Sequence, residues 1–246
     1  MKTRSIFFCT TFILISIALQ AQNKVNNYIG FSAGVSTPSG NFSKTETGSL
    51  NNWNNKAGFA KTGFAIGVEG AYYFLPKLGL AGTLYYSNHG GFSKADAAKL
   101  GDSYTDAFGV DESTVKTSGS YSSVNVMLGP QFSFPINKLT VDVRALAGII
   151  QSLSTPEMTV QLEDNTSTLL KQKSSTATAS GWQVGAGLRY ALTDKLGLMF
   201  RADYFNSDGI KIKNENRSNN AGRMVTKQPM SWMNASVGLV FLLESE

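Results

Sequence analysis

Covalent and metal chemistry have almost nothing to work with in this chain. Its 246 residues include one cysteine, Cys9, and one histidine, His89. Cys9 lies in an amino-terminal segment read below as removed, so the mature chain has no disulfide and no thiolate, and one imidazole is too few for a transition-metal site. No cofactor is expected. Charge is sparse as well: Asp, Glu, Lys and Arg make up 16% of the chain, 22 basic against 17 acidic residues, for a formal net charge of +5. Without Lys2 and Arg4 the balance is about +3, too mild to point to nucleic acid. Long apolar runs are missing beyond the amino terminus and the mean hydropathy is −0.10, which excludes a bundle of membrane-spanning helices. Prolines number only 6 and glycines 24, a balance suited to tight sheet curvature rather than to helices.

The amino terminus reads as an export signal. Lys2 and Arg4 supply a positive start, Ile6 to Leu19 a mostly apolar stretch, and Leu19-Gln20-Ala21 a cleavage site ending on a small residue. The stretch is interrupted by Cys9, Thr10, Thr11 and Ser16 and falls short of the ~20 residues an anchoring helix needs. Residues 1–21 are therefore expected to be a cleaved secretory signal, and 22–246 one domain.

What the chain does have is alternation. Eight stretches carry apolar residues at every second position, and the connections between them run long, short, long, short. Ile29, Phe31, Ala33 and Val35 alternate with Gly30, Ser32, Gly34 and Ser36, and the same pattern recurs around Phe64–Phe74, Leu78–Ser87, Val124–Phe132, Leu139–Ile149, Trp182–Tyr190, Leu196–Tyr204 and Met233–Phe241. Short turns follow at Leu75-Pro76-Lys77, Pro135-Ile136-Asn137-Lys138 and Thr193-Asp194-Lys195. Such asymmetry is what a barrel threaded through a membrane produces, with tight turns inside the periplasm and long loops outside. The expected fold is all-β: an eight-stranded antiparallel transmembrane up-and-down β-barrel, closed by pairing its first strand with its last because open edges cannot be solvated in hydrocarbon. A soluble lipocalin-like barrel shares the alternation with the oily face inward. Against it stand the loop asymmetry, a polar face made largely of glycine, serine and alanine, and aromatics near both expected interfaces. Those aromatics are Tyr72, Tyr73, Phe74, Phe132, Phe134 and Tyr190 toward the turns, and Tyr86, Tyr121, Trp182, Tyr204 and Trp232 toward the long loops.

The inner face carries one charge constellation: Glu69, Asp142 and Asp203 with Arg144, Arg189 and Arg201. An eight-stranded barrel is only wide enough for its own side chains to fill it, so these charges should pair as a salt-bridged plug. A gated ion path through the same residues is the rival.

The segments "FAIGVEGAYYFLPKLGLAGTLYYSNHGGF", "VMLGPQFSFPINKLTVDVRALAGI", "GWQVGAGLRYALTDKLGLMFRADYF" and "ASVGLVFLL" resemble the outer-membrane β-barrel domain families that include PorT-like and OmpA/OmpX-like barrels. The similarity spans essentially the whole mature chain. It implies an outer-membrane location with both termini periplasmic, a monomeric barrel, contact with outer-membrane lipid and lipopolysaccharide, and a non-enzymatic structural, surface-binding or secretion-accessory role that can involve another envelope or secretion protein.

An enzyme is the alternative. Ser87 and His89 lie two apart in "SNHG" and could act as nucleophile and base of a lipid A hydrolase, but no acid is near in sequence and Ser87 falls on the lumen face. A histidine at a loop base before Gly90-Gly91 is the plainer account. Function is expected in the four long connections, roughly Thr37–Thr62, Asn88–Ser120, Gln151–Ser180 and Asn206–Met230. Met158, Val160 and Leu162, then Leu169-Leu170, and Ile210-Lys211-Ile212-Lys213 alternate as strands projecting above the membrane would, with edges a partner strand could join. Ser93–Leu100 reads as a short amphipathic helical turn. The fourth loop gathers Lys211, Lys213, Arg217, Arg223 and Lys227 against Asp208 and Glu215, an excess suited to lipopolysaccharide phosphates.

Overall fold

The computed structural model describes residues 25–47, 56–162, 165–215 and 225–243; the expected signal segment lies outside them. Among the described residues, fourteen strands and two helices follow one another as β1 (Asn27–Pro38), α1 (Gly40–Ser43), β2 (Gly63–Tyr73), β3 (Leu78–Asn88), α2 (Lys94–Phe108), β4 (Ser113–Ser118), β5 (Ser122–Ile136), β6 (Leu139–Ser154), β7 (Glu157–Leu162), β8 (Asn165–Lys173), β9 (Thr178–Ala191), β10 (Leu196–Ser207), β11 (Ile210–Lys211), β12 (Lys213–Asn214), β13 (Lys227–Gln228) and β14 (Ser231–Leu243). Eight of them close a barrel in the order β1-β14-β10-β9-β6-β5-β3-β2, every neighbour antiparallel. Closure runs the full length of β1, from Asn27 opposite Leu243 to Pro38 opposite Trp232, so neither terminal strand leaves its backbone groups open. The two-residue turn between β5 and β6 works because Asn137 accepts a φ of 56°, which asparagine tolerates better than most residues.

The period of two decides which side chains face out. Phe31, Phe64, Ile66, Leu84, Leu128, Phe200, Val237 and Phe241 stand on the outer wall and remain about half exposed, an apolar belt encircling the barrel. A band of that extent in water would be an aggregation surface; in hydrocarbon it is the solvated face. No helix among the described residues is long and apolar enough to cross a membrane. Three of the expected interface aromatics point the other way: Tyr73, Tyr121 and Trp232 are buried inside. The alternation itself explains the difference, since Tyr73 shares parity with Glu69 on β2 and Trp232 with Asn234 on β14, both inward rows. Tyr72, Trp182 and Tyr190 do face out.

The long connections fold into their own structure at one end of the barrel. β7 and β8 pair where alternation foretold strands, and with β12 and β4 they make a four-stranded sheet in the order β12-β8-β7-β4. Helix α2 is longer than the turn expected at Ser93–Leu100. Ser93 and Asp96 form a capping box at its start and Gly109, with φ 63°, ends it in a left-handed cap. Leu100 and Tyr104 then pack on Met158 and Val160 of the sheet, a small second core above the barrel.

Candidate functional site

The inward charges form one alternating chain. Asp203 accepts a bidentate pair of hydrogen bonds from Arg144 Nε and Nη2 (2.9 and 2.8 Å), and the same Nη2 donates to Glu69 (3.1 Å). Glu69 also accepts from Arg201 Nε at 2.7 Å. Arg201 Nη1 lies 3.1 Å from Asp142, close enough for charge attraction though not aligned to donate, and Asp142 takes a bidentate pair from Arg189 (2.8 and 2.9 Å). Three carboxylates and three guanidiniums thus run acid, base, acid, base, acid, base across β10, β6, β2 and β9, each residue no more than 5% exposed. Their sum is zero. That neutrality is what allows six charges inside one lumen, because an unmatched buried ion costs several kcal/mol.

Neutral partners complete the chain. The Tyr28 hydroxyl accepts from Arg201 Nη2 at 2.6 Å and its own proton faces Gln131 (3.2 Å) and Glu69 (3.3 Å). Tyr85 donates to Glu69 at 2.9 Å, and Arg189 donates to the Tyr73 hydroxyl at 3.0 Å while its guanidinium lies 4.0 Å above the Tyr28 ring. Parity puts all three tyrosines on the inner face, although Tyr73 is expected above among the interface aromatics, and nothing in the sequence assigns them to the arginines.

Above this layer the barrel mouth is capped. Residues after β1 turn inward through α1, and Phe42, fully buried, meets His89 (5.2 Å between ring centroids) and Tyr121 (4.9 Å) edge-on. Trp232 stacks on Phe205 at 5.0 Å. The returning segment of the loop is tied down by hydrogen bonds from Gly58 N to Asn41 O, Ala60 N to Phe42 O and Lys61 N to His89 O.

Ser87 and His89 do not form a pair in this arrangement. Ser87 Oγ accepts from Asn125 Nδ2 (3.3 Å), whereas His89 Nε2 lies 2.7 Å from Ser36 Oγ, whose proton goes to Asn234 Oδ1 at 2.6 Å. His89 must therefore donate from Nε2, which leaves Nδ1 unprotonated and without a hydrogen-bond partner. The ring is fully buried under Phe42 and Trp232, with no carboxylate to orient it. Just past the end of β3, it is kept neutral because burial pulls its pKa down from 6.5 to about 3. A general base needs access to substrate and a pKa near the working pH. His89 has neither.

That burial makes a pH prediction. Because the folded pKa is depressed, neutral His89 contributes stability that is intact above about pH 6.5 and is lost as pH falls toward 3, where the unfolded chain binds a proton that the folded chain refuses. His89→Phe removes this proton uptake and leaves Ser36 bonded to Asn234. The variant should match wild type near pH 7.5 and surpass it at pH 4 by on the order of 3 kcal/mol. Urea unfolding at both pH values measures the difference, and equal acid sensitivity in both proteins would refute it.

The basic residues expected in the fourth loop divide. Arg217 and Arg223 lie outside the described residues. Lys211, Lys213 and Lys227 are exposed, and register places Lys211 directly opposite Lys227 and Lys213 directly opposite Lys173. Gly209, with φ 108°, shifts the chain's parity just after β10, so Ile210 and Ile212 turn into the interior and the two lysines outward. Lys227 pairs with Asp208 (3.2 Å), while Glu215 pairs with both Lys173 and Lys171 (3.7 Å to the latter). Hydrogen bonding from Lys173, outweighing a small burial effect, lowers the Glu215 pKa. Lys171 and Lys173, on β8, were missed by sequence reading because they belong to the neighbouring loop and only strand pairing brings them here.

Against known proteins, the chain matches the family model described as outer membrane protein beta-barrel domain over residues 6–226. No curated protein matches it. Among solved structures it is similar to Neisserial surface protein A, with 15% identity and TM-score 0.43 over 88% of this chain and 97% of that one. It is similar also to Ail, the attachment invasion locus protein of Yersinia pestis (15%, TM-score 0.37, 88% and 97%), and to a major outer membrane protein of Thermus thermophilus (12%, TM-score 0.44, 87% and 98%).

Proposed function

The chain belongs to the outer membrane protein beta-barrel domain family, and from that premise we propose that it is a closed, non-enzymatic barrel working through its long-loop face. It lies in the outer membrane; such barrels keep their short turns in the periplasm and their long loops outside. The observation that carries the proposal is the double closure of the lumen. The six-residue ionic chain occupies one level, and the Phe42, Tyr121, Trp232 and His89 cluster seals the outer mouth. Transport and lumenal catalysis then have no path, and what remains available to a partner is the raised structure. That structure is organised: among the described residues β4 forms one edge of the four-stranded sheet and pairs with β7 alone, as an edge able to accept an added strand does. The role this supports is surface binding or structural support within the envelope.

Three measurements test it together. Wild-type protein in planar lipid bilayers should show no steady open current, and sustained conductance would refute closure. Lipid A from cells with and without the protein should have identical mass spectra; a deacylated product that vanishes in His89→Ala would make the protein a hydrolase. Crosslinked purification from intact outer membranes should recover a stoichiometric partner that is lost when the connection between Asn206 and Met230 is shortened.

A further inference from the structure

Two cross-strand pairs of like charge stand on the raised ribbon, Lys211 opposite Lys227 and Lys213 opposite Lys173, with Lys171 two residues along from Lys173 on the same face. Directly opposed like charges weaken strand pairing. A fold avoids that cost by placing an acid at one of the two positions, and here neither pair has one. The two nearby carboxylates, Asp208 and Glu215, engage Lys227, Lys171 and Lys173. Lys211 and Lys213 have no acidic partner among the described residues. Five ammonium groups face two carboxylates, on a ribbon whose other face, Ile210 and Ile212, is anchored in the protein.

Position narrows the ligand. Lys211 and Lys213 follow the outward Tyr204 by seven and nine residues. β10 ends at Ser207 and the chain bends through Asp208 and Gly209, so Lys211 and Lys213 lie past the end of the barrel strand and not at the level of Tyr204. The spacing within the ladder, about 5 Å across the strands and about 6.6 Å along them, suits an anion repeated on a polymer. Building on the surface-binding reading above, we propose that Lys173, Lys211, Lys213 and Lys227 form a binding site for a saccharide bearing several phosphate or sulfate groups. Such a saccharide can be the phosphorylated core of lipopolysaccharide in the same membrane or a soluble sulfated glycan. Each lysine donates to one anion, and binding relieves the repulsion within each pair.

The test uses the full protein in phosphatidylcholine nanodiscs with heparin as the soluble probe, and in separate discs lipopolysaccharide with or without its phosphorylated core. Replacing all four lysines by alanine should weaken heparin binding by about a hundredfold at low salt and flatten its salt dependence, as fewer counterions are released. Arginine at the same four positions should retain binding, which separates charge from any disturbance of the ribbon. Lys99→Ala with Lys116→Ala, exposed elsewhere on the loop structure, should bind as wild type does. Protection of Lys213 from acetylation only in discs with the phosphorylated core assigns the ligand to the same membrane; heparin binding without that protection assigns it to a soluble glycan. Absence of both, equal loss in the Lys99 and Lys116 control, or equal affinity for duplex DNA overturns the site. None of these outcomes touches closure, and open current or His89-dependent hydrolysis would remove the broader reading while leaving the lysine measurement intact.

Discussion

Arg144→Ala should lower the unfolding free energy of the barrel by about 3–5 kcal/mol, measured by urea unfolding in lipid vesicles with tryptophan fluorescence. The size follows from what is left behind. Asp203, 2% exposed, takes both of its ion-pair hydrogen bonds from Arg144, so truncation strands a carboxylate in the lumen with no cation at hydrogen-bonding distance. Glu69 fares better because Arg201 still donates to it at 2.7 Å.

The companion variant is Arg144→Met with Asp203→Leu. Removing both ends deletes one acid and one base, and the residual chain of Glu69, Arg201, Asp142 and Arg189 is still neutral and still alternates. The double variant should therefore recover most of the loss, to within about 2 kcal/mol of wild type, since well-packed apolar replacements of a buried pair are often nearly neutral. A double variant as unstable as Arg144→Ala would mean that packing volume, not charge, sets the cost.

How far the sequence reached can be judged from these same residues. Alternation on each strand showed Glu69, Asp142, Arg144, Arg189, Arg201 and Asp203 facing one interior, because a period of two is fixed by strand geometry. Which acid meets which arginine depends on shear between strands, and no single strand carries that quantity. The same ignorance hid how the lysines pair: Lys211, Lys213 and Lys227 stand out in the sequence as one basic loop, but only strand pairing sets Lys211 against Lys227 and brings Lys173 of β8 opposite Lys213. Strand β4 was missed for a different reason: Ser-Thr-Val-Lys-Thr-Ser offers a single apolar residue, and its pairing with β7 is decided by tertiary contact. The cap at the mouth was illegible too. Phe42 and Phe59 lie in a loop without periodicity, and Tyr121 and Trp232 stand near strand ends, where aromatic residues commonly form a lipid girdle, yet both turn inward.

The glycines of β9 hold the ionic chain in register, and Gly185→Ala should cost about 2–4 kcal/mol although it adds one methyl group. Gly185 is the direct cross-strand partner of Arg144 on one side and of Asp203 on the other, so their ion pair bridges across it. Gly187 stands in the same relation to Asp142 and Arg201. At Gly185 a β-carbon would collide with Asp203 Oδ1 and approach Ala202 O to 2.9 Å. The carboxylate would have to swing off Arg144 to admit it. Gly82→Ala is the control: its β-carbon faces outward and finds Leu128 Cδ1 at an ordinary 3.6 Å, so stability should change by less than about 0.5 kcal/mol. The decisive comparison is made in the Asp203→Ala background, where the obstructing carboxylate is already gone. There Gly185→Ala should lose most of its penalty, leaving only the backbone contact with Ala202, because two substitutions acting on one ion pair cannot both be charged for breaking it. Full additivity of the two would show that the glycine serves the curvature of β9 rather than the bridge across it.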